Sequence, residues 1–326
     1  MFSRIDCAPM EGVTRAVFRR RHHELFGGID RYFTPFLAPS ADGVFSEKEL
    51  REVRPEACAG VPTVPQLLAG RAEHFLWAAK LMAQMGYDEV NLNVGCPSGT
   101  VVAKHKGSGM LADLSALDSF LDAVFEGLQG ENLKISVKTR IGLEDKDHWP
   151  QVMEIYNRYP ICDLTVHPRL RRQFYKGKPD WDAFALAAEQ VTVPLCYNGD
   201  IFTLEDARAV KTRFPGVSQV MLGRGLVTNP ALAREIRGGA PLTGDELRQF
   251  HDAVLDNYCA CIIGEVNILH KMKELWSYWA CLFPEDKKGI KAVRKSRDLA
   301  EYRRTAAAVL SAQPLAGGGF YPEGMA

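Results

Sequence analysis

Short apolar runs rich in β-branched residues recur along this chain, separated by longer stretches whose apolar residues are spaced for a helix. Strand-like runs fall at 5–8, 32–35, 63–67, 89–93, 134–138, 163–167, 194–198 and 219–222. Helical spacing fits 14–25, 72–85, 115–128, 149–158, 181–189, 204–214 and 230–236. Apolar strands alternating with helices make βαβ units, in which the helices cover a parallel sheet. Eight strand signals with intervening helices match a (β/α)8 TIM barrel, an α/β fold. A doubly wound open sheet is the competing architecture. The segment 37–60 fits neither period and reads as irregular.

The alternation stops at Gly238-Gly239-Ala240-Pro241. Thr243 then opens a stretch without strand signals, and its spacing to Glu246 has the pattern of a capping box. Helices broken at Pro284 and Gly289 are expected beyond it. The expected organisation is a barrel over 1–240, a small all-α helical domain over 241–313 and a flexible tail over 314–326. Hydrophobic residues make up 46% and charged residues 25%, as in soluble globular proteins. The start lacks the apolar core of a signal peptide, and no apolar run reaches the length of a membrane span. A cytoplasmic, monomeric protein is expected. Eight cysteines without a Cys-x-x-Cys pair give no zinc pattern, so no metal is expected.

Polar residues or turns end most of the strand runs. They include Gln66, Asn93 before Gly95-Cys96-Pro97, Lys138, His167, Asn198-Gly199-Asp200 and Gly223-Arg224-Gly225. Active sites of such barrels lie at the C-terminal strand ends, so these positions converge on one pocket. A lone polar residue at a strand end is usually a turn residue, but repetition on successive strands points to a site. The last two glycine turns occupy the recurring phosphate position after strands seven and eight. A phosphate there, with an inward lysine and glutamine, suits flavin mononucleotide (FMN). Gln66 can both donate and accept at the flavin's pyrimidine-like edge, and Lys138 can face negative charge on the reduced ring.

These residues also resemble a known family. Ala8-Pro9-Met10-Glu11-Gly12-Val13-Thr14, Asn93-Val94-Gly95-Cys96-Pro97-Ser98 and Gly107-Ser108-Gly109-Met110-Leu111 resemble signatures of the tRNA-dihydrouridine synthases. So do Val137-Lys138-Thr139-Arg140, His167-Pro168-Arg169 with Tyr175-Lys176-Gly177, and His270-Lys271-Met272-Lys273. Arg15 departs from the family's usual acidic residue. The resemblance implies an FMN enzyme that uses NADPH to reduce the C5=C6 bond of a uridine in tRNA. It implies that Ala8, Pro9 and Met10 line the flavin, and that Gln66, Lys138 and His167 contact its ring or ribityl chain. It implies that Asn198, Gly199, Asp200, Gly223 and Arg224 hold the phosphate, and that Asn93 orients the uracil.

Cys96 is the candidate proton donor to C5, since a free thiol is protonated at neutral pH and can still be deprotonated readily. Net charge is zero, so RNA contact must come from local charge. Residues 271–304 carry ten Lys and Arg against five Asp and Glu, which suggests a basic helical face. Arg169, Tyr175, Lys176, Lys271, Lys273, Arg294 and Lys295 are the candidate RNA contacts. A flavin barrel enzyme acting on a free small molecule and a non-catalytic RNA-binding protein are the alternatives.

Overall fold

The computed structural model describes residues 1–40, 43–312 and 315–316. The tail expected over 314–326 therefore lies outside the described residues, apart from Leu315 and Ala316. The strands are β1 (Arg4–Cys7), β2 (Arg31–Phe33), β3 (Thr63–Val64), β4 (Gln66–Leu67), β5 (Glu89–Val94), β6 (Lys134–Arg140), β7 (Asp163–His167), β8 (Leu195–Tyr197) and β9 (Gln219–Leu222). Neighbours run parallel in the order β3-β2-β1-β9-β8-β7-β6-β5-β4. The run expected as one strand at 63–67 is split by Pro65, which has no N–H for the ladder. Its first half pairs with β2 and its second with β5, so the two ends of the order meet and the sheet closes into a barrel.

Alternation along each strand sends one set of side chains outward and one inward. The outward set, including Val90, Leu92, Val137, Leu164 and Val220, packs with Phe75, Leu121, Val152 and Phe184 in the main core. The inward set forms tiers. At the floor Asp6 and Asp163 are ion-paired to Arg4 and Arg31, and Arg31 also meets Glu89. Above them Ala8, Phe33, Val64, Cys196 and Met221 make an apolar cluster. Gln66, Asn91, Ser136 and Thr165 are buried polar residues on the other side of the barrel, on β4, β5, β6 and β7. Nearer the C-terminal ends come Asn93, Lys138 and His167.

Three of the surrounding helices start where a side chain caps them. Asp113, Asp180 and Thr203 accept N–H groups from the first turns of helices Leu114–Gly127, Trp181–Gln190 and Leu204–Arg213. Helix Ala16–Leu25 follows Arg15, which cannot cap it. Glu52 does so instead, accepting from the Ala16 N–H at 2.7 Å while pairing with Arg15 and Arg19. Glu52 comes from the segment read as irregular, which contains two single-turn helices, Glu47–Leu50 and Pro55–Cys58.

After the barrel come helices Gly244–Cys261, Glu265–Trp279, Lys287–Lys295 and Leu299–Ala312. Thr243 and Glu246 form the capping box. Pro284 lies between helices, but Gly289 does not break one. It sits in the first turn of Lys287–Lys295, where its N–H is capped by Asp286 at 2.8 Å. These helices share their core with the barrel's first helix, since Phe18, Phe26 and Val227 pack with Phe250, Trp276 and Trp279. They also border the top of the barrel. Lys271 Nζ donates to the Gly12 carbonyl at 3.0 Å. Gly12 has φ +80°, and a Cβ there would stand 3.0 Å from the Glu274 carboxylate.

Candidate active site

Cys96 lies on the turn that leaves β5, and its backbone is held from several sides. Asn93 Oδ1 accepts the N–H groups of Gly95 and Cys96 at 2.9 and 2.8 Å. The Cys96 carbonyl accepts from the Ser108 hydroxyl at 2.8 Å and its N–H at 3.2 Å. Gly107 has φ +56°, and a Cβ on it would come within 2.9 Å of the Cys96 Cβ. From the end of β6, Arg140 donates to the carbonyls of Gly95, Leu170 and Phe174 at 3.0, 2.9 and 2.8 Å. It thereby ties the cysteine turn to the loop after β7. The thiol is half-buried. Burial raises its pKa, and the Ser98 backbone, Arg140 and Lys138 offset only part of that. Cys96 therefore keeps its proton at neutral pH.

Positive charge gathers beside it. Lys138 is the register partner of Asn93. Burial, and then the neighbouring Arg140, lower its ammonium to about 7. His167 is held well below its ordinary range by burial, then by Arg140, Lys138, Arg169 and Arg224, so its ring is neutral. Arg169 donates to Asp200 at 2.5 and 3.1 Å and to the Gly177 carbonyl at 2.6 Å, and its Nη1 lies 3.0 Å from His167 Nε2. Arg224 meets the same carboxylate at 2.7 Å. Asp200 thus stands against Arg169 and Arg224, with Lys138 and Arg140 close by. The buried Nε of Arg169 has no hydrogen-bond partner. Surplus positive charge and an unmet buried donor fit an anionic group in the pocket between Ala8–Met10, Asn198–Asp200 and Gly223–Arg224. At its edge stands exposed Tyr175, with the Arg224 guanidinium 4.8 Å from its ring centroid.

The structure thus brings Cys96, Asn93, Lys138, His167, Asn198, Gly199, Asp200, Gly223 and Arg224 to one end of the barrel, with Gln66 beneath Asn93. Other expected residues fall elsewhere or act differently. The Asp200 carboxylate pairs with Arg169 and Arg224, and its own negative charge would repel a phosphate. Arg169, expected at the RNA, is fully buried and ion-paired. Lys273, also expected at the RNA, donates to the Ser296 carbonyl at 2.5 Å, at the end of helix Lys287–Lys295. Lys271 pairs with Glu274 and the Gly12 carbonyl. Lys176, Arg294 and Lys295 are exposed. Sequence reasoning does not single out Arg140, Gly107 and Ser108 as site residues, although their motifs are evident. Their roles depend on backbone carbonyls and close approach, which residue type does not disclose.

A wide groove opens between the barrel and the C-terminal helices. Its lining includes Arg15, Lys48, Arg51, Arg54, Lys271 and Lys273, with Glu52, Glu56 and Glu274 among them. Among the described residues no group of His, Cys, Asp and Glu could hold a metal ion, and no helix is long and apolar enough to cross a membrane.

Comparison with known proteins gives a concordant picture. A family model described as dihydrouridine synthase matches residues 6–307. The chain is 29% identical over 282 residues to the tRNA-dihydrouridine(16) synthase of Neisseria meningitidis serogroup B, covering 84% of each chain. It is 31% identical over 307 residues to a probable tRNA-dihydrouridine synthase of Rhizobium leguminosarum bv. phaseoli, covering 91% of this chain and 93% of the relative. In fold it is similar to a variant of NCR from Zymomonas mobilis, with a TM-score of 0.52 and 18% identity over 76% of this chain and 90% of that one.

Proposed function

The chain belongs to the dihydrouridine synthase family, and from that premise we propose that it reduces the C5=C6 bond of a uridine in tRNA, with FMN as cofactor and NADPH as reductant. The observation that carries this is the juxtaposition of a protonated, backbone-pinned Cys96 with a cationic anion pocket at the same barrel end. Ala8, Pro9 and Met10 would line the flavin ring, and Gln66, Lys138 and His167 would meet its polar edge. The backbone of Gly199 and Gly223, with Arg224, would hold the phosphate, and Asp200 would hold Arg169 and Arg224 in place. Bound and reduced, FMN supplies the hydride that C6 of the uracil accepts.

The chain's own groups supply the rest. As C6 gains the hydride, negative charge develops at C5 and O4. The free N–H of Asn93 and the Lys138 ammonium can face that charge. The Cys96 Sγ–H delivers its proton to C5, which leaves a thiolate to be reprotonated from solvent. His167, neutral and bonded to Arg169, orients without donating a charge. A uridine must leave its stack to reach this depth, and exposed Tyr175 and Phe174 stand at the rim where a base can stack. The basic groups of the groove would take the RNA backbone, together with the exposed face of helix Lys287–Lys295. The name of the Neisseria meningitidis relative makes position 16 the proposed target.

Stopped-flow oxidation of pre-reduced enzyme by unmodified tRNA tests the assignment. Acid release should yield FMN. Cys96→Ala should keep its flavin and accept hydride from NADPH at near the parent's rate, while oxidation by tRNA slows by about 10²–10⁴-fold. Reoxidation of Cys96→Ala as fast as the parent would remove Cys96 as the acid. Mapping dihydrouridine in tRNA from a strain lacking the protein checks the position.

A further inference from the structure

A directed series of side-chain hydrogen bonds runs through the barrel beneath the cysteine turn. Gln66, Asn91 and Ser136 are register partners on the adjacent strands β4, β5 and β6, and all are buried. Asn93 lies two residues further along β5, on the same face. The direction of each bond follows from the top. The backbone N–H groups of Gly95 and Cys96 can only donate, so Asn93 must turn its Oδ1 to them. Its Nδ2 then faces Gln66 at 2.7 Å, and Gln66 must present Oε1. Gln66 Nε2 consequently faces Asn91 at 2.8 Å, and Asn91 must present Oδ1. Asn91 Nδ2 ends the series on Ser136 Oγ at 2.9 Å. None of the three amides can turn over alone, because two donors or two acceptors would then face each other in a buried place. Asn93 and Gln66 are each left with one uncommitted N–H.

We propose that Asn91 and Ser136 are positioning residues for the reaction. They act through Gln66 and Asn93 to hold the Cys96 turn and to fix which amide ends face the ligands; the second part rests on the function proposed above. Thr165 supplies the contrast. It is buried on the neighbouring strand β7, and its hydroxyl belongs to no part of the series. A polar patch that merely fills the barrel would treat all of these residues alike, whereas a directed series gives Asn91 and Ser136 an effect at Cys96 that Thr165 lacks.

The test follows alkylation of Cys96 by iodoacetamide in the full-length protein, before and after removal of flavin. Peptide-resolved mass spectrometry separates Cys96 from the exposed Cys259 and Cys261. Asn91→Leu and Ser136→Ala should change the Cys96 rate by about fivefold, the factor associated with one net hydrogen bond. Thr165→Val should keep the parent's rate. If Asn91→Leu does not fold, Ser136→Ala decides the matter. Parent rates in the Asn91 and Ser136 variants, or an equal change in Thr165→Val, overturn the proposal. The same variants should slow oxidation of pre-reduced enzyme by tRNA. If the alkylation rates shift but tRNA fails to oxidise even the parent, the proposed function fails while the positioning of Cys96 stands.

Discussion

At the residue scale, Lys138 carries a testable linkage. With its ammonium lowered to about 7 by burial and by Arg140, the flavin-free protein would lose this charge as pH rises through neutrality. An anionic ligand favours the charged form and raises that value, so binding must take up a proton above pH ~7. FMN affinity should therefore fall as pH rises through the ~7–9 interval, and Lys138→Arg, which stays charged, should flatten the trend. Fluorescence titration across that range checks it, and a pH-independent affinity in the parent would remove Lys138 from the linkage. Cys96 and Lys138 stand out in the sequence because both fall at strand ends among repeated polar ends, and the structure brings both to one end of the barrel. Arg169 was misplaced for a physical reason. A guanidinium reads the same whether it faces RNA or an internal carboxylate, and what decides is Asp200, 31 residues further on. The Asn91–Ser136 pair was hidden similarly, since it follows from strand register rather than from spacing.

At the element scale, the segment 37–60 shows where period-based inference stops. Its helices are single turns, too short for a 3.6-residue period to show, and tertiary contacts hold them. Those turns nevertheless carry Lys48, Arg51 and Arg54 to the groove and Glu52 to the start of helix Ala16–Leu25. Charge counting along the chain pointed to residues 271–304 and missed this second source, because the groove is assembled from both ends of the sequence. Lys48→Ala, Arg51→Ala and Arg54→Ala combined should weaken tRNA binding and lower the slope of log K against log salt by up to about 0.9 for each phosphate that is no longer neutralised. Lys211→Ala should leave that slope at the parent's value, because its ammonium holds the Pro215 and Val217 carbonyls away from the groove. Filter binding from low to moderate salt distinguishes them. Equal slopes for the triple variant and the parent would place the RNA elsewhere.

At the scale of the whole molecule, the barrel and the C-terminal helices meet on helix Ala16–Leu25, which contributes Phe18 to their shared core. Phe250 packs edge-on against Phe18, His22 and Phe26, and Trp279 Nε1 donates to the Val227 carbonyl at 2.9 Å. His22 is the polar residue at this junction. Its Nε2 lies 2.8 Å from the Pro230 carbonyl, which can only accept, so that nitrogen carries the hydrogen. Its Nδ1, 2.7 Å from the Tyr32 hydroxyl, then accepts. The ring is thus neutral and fully used. Burial lowers its pKa from 6.5 to about 4, against the pull of the Pro230 carbonyl. In the unfolded chain the same ring protonates near 6.5, so between that value and 4 the unfolded state binds more protons. Stability is therefore complete above about pH 6.5 and is lost as pH falls towards 4, by about 3 kcal/mol for this one group. His22→Gln, which keeps a donor and an acceptor but cannot titrate, should be less stable than the parent at pH 7 and should lose less on acidification. Urea unfolding at half-unit steps from pH ~7 to ~4.5, followed by tryptophan fluorescence and far-ultraviolet circular dichroism, measures both arms. Because the core is shared, the two signals should unfold together at every pH. A parent and variant that lose stability in parallel would show that His22 does not govern the acid limb.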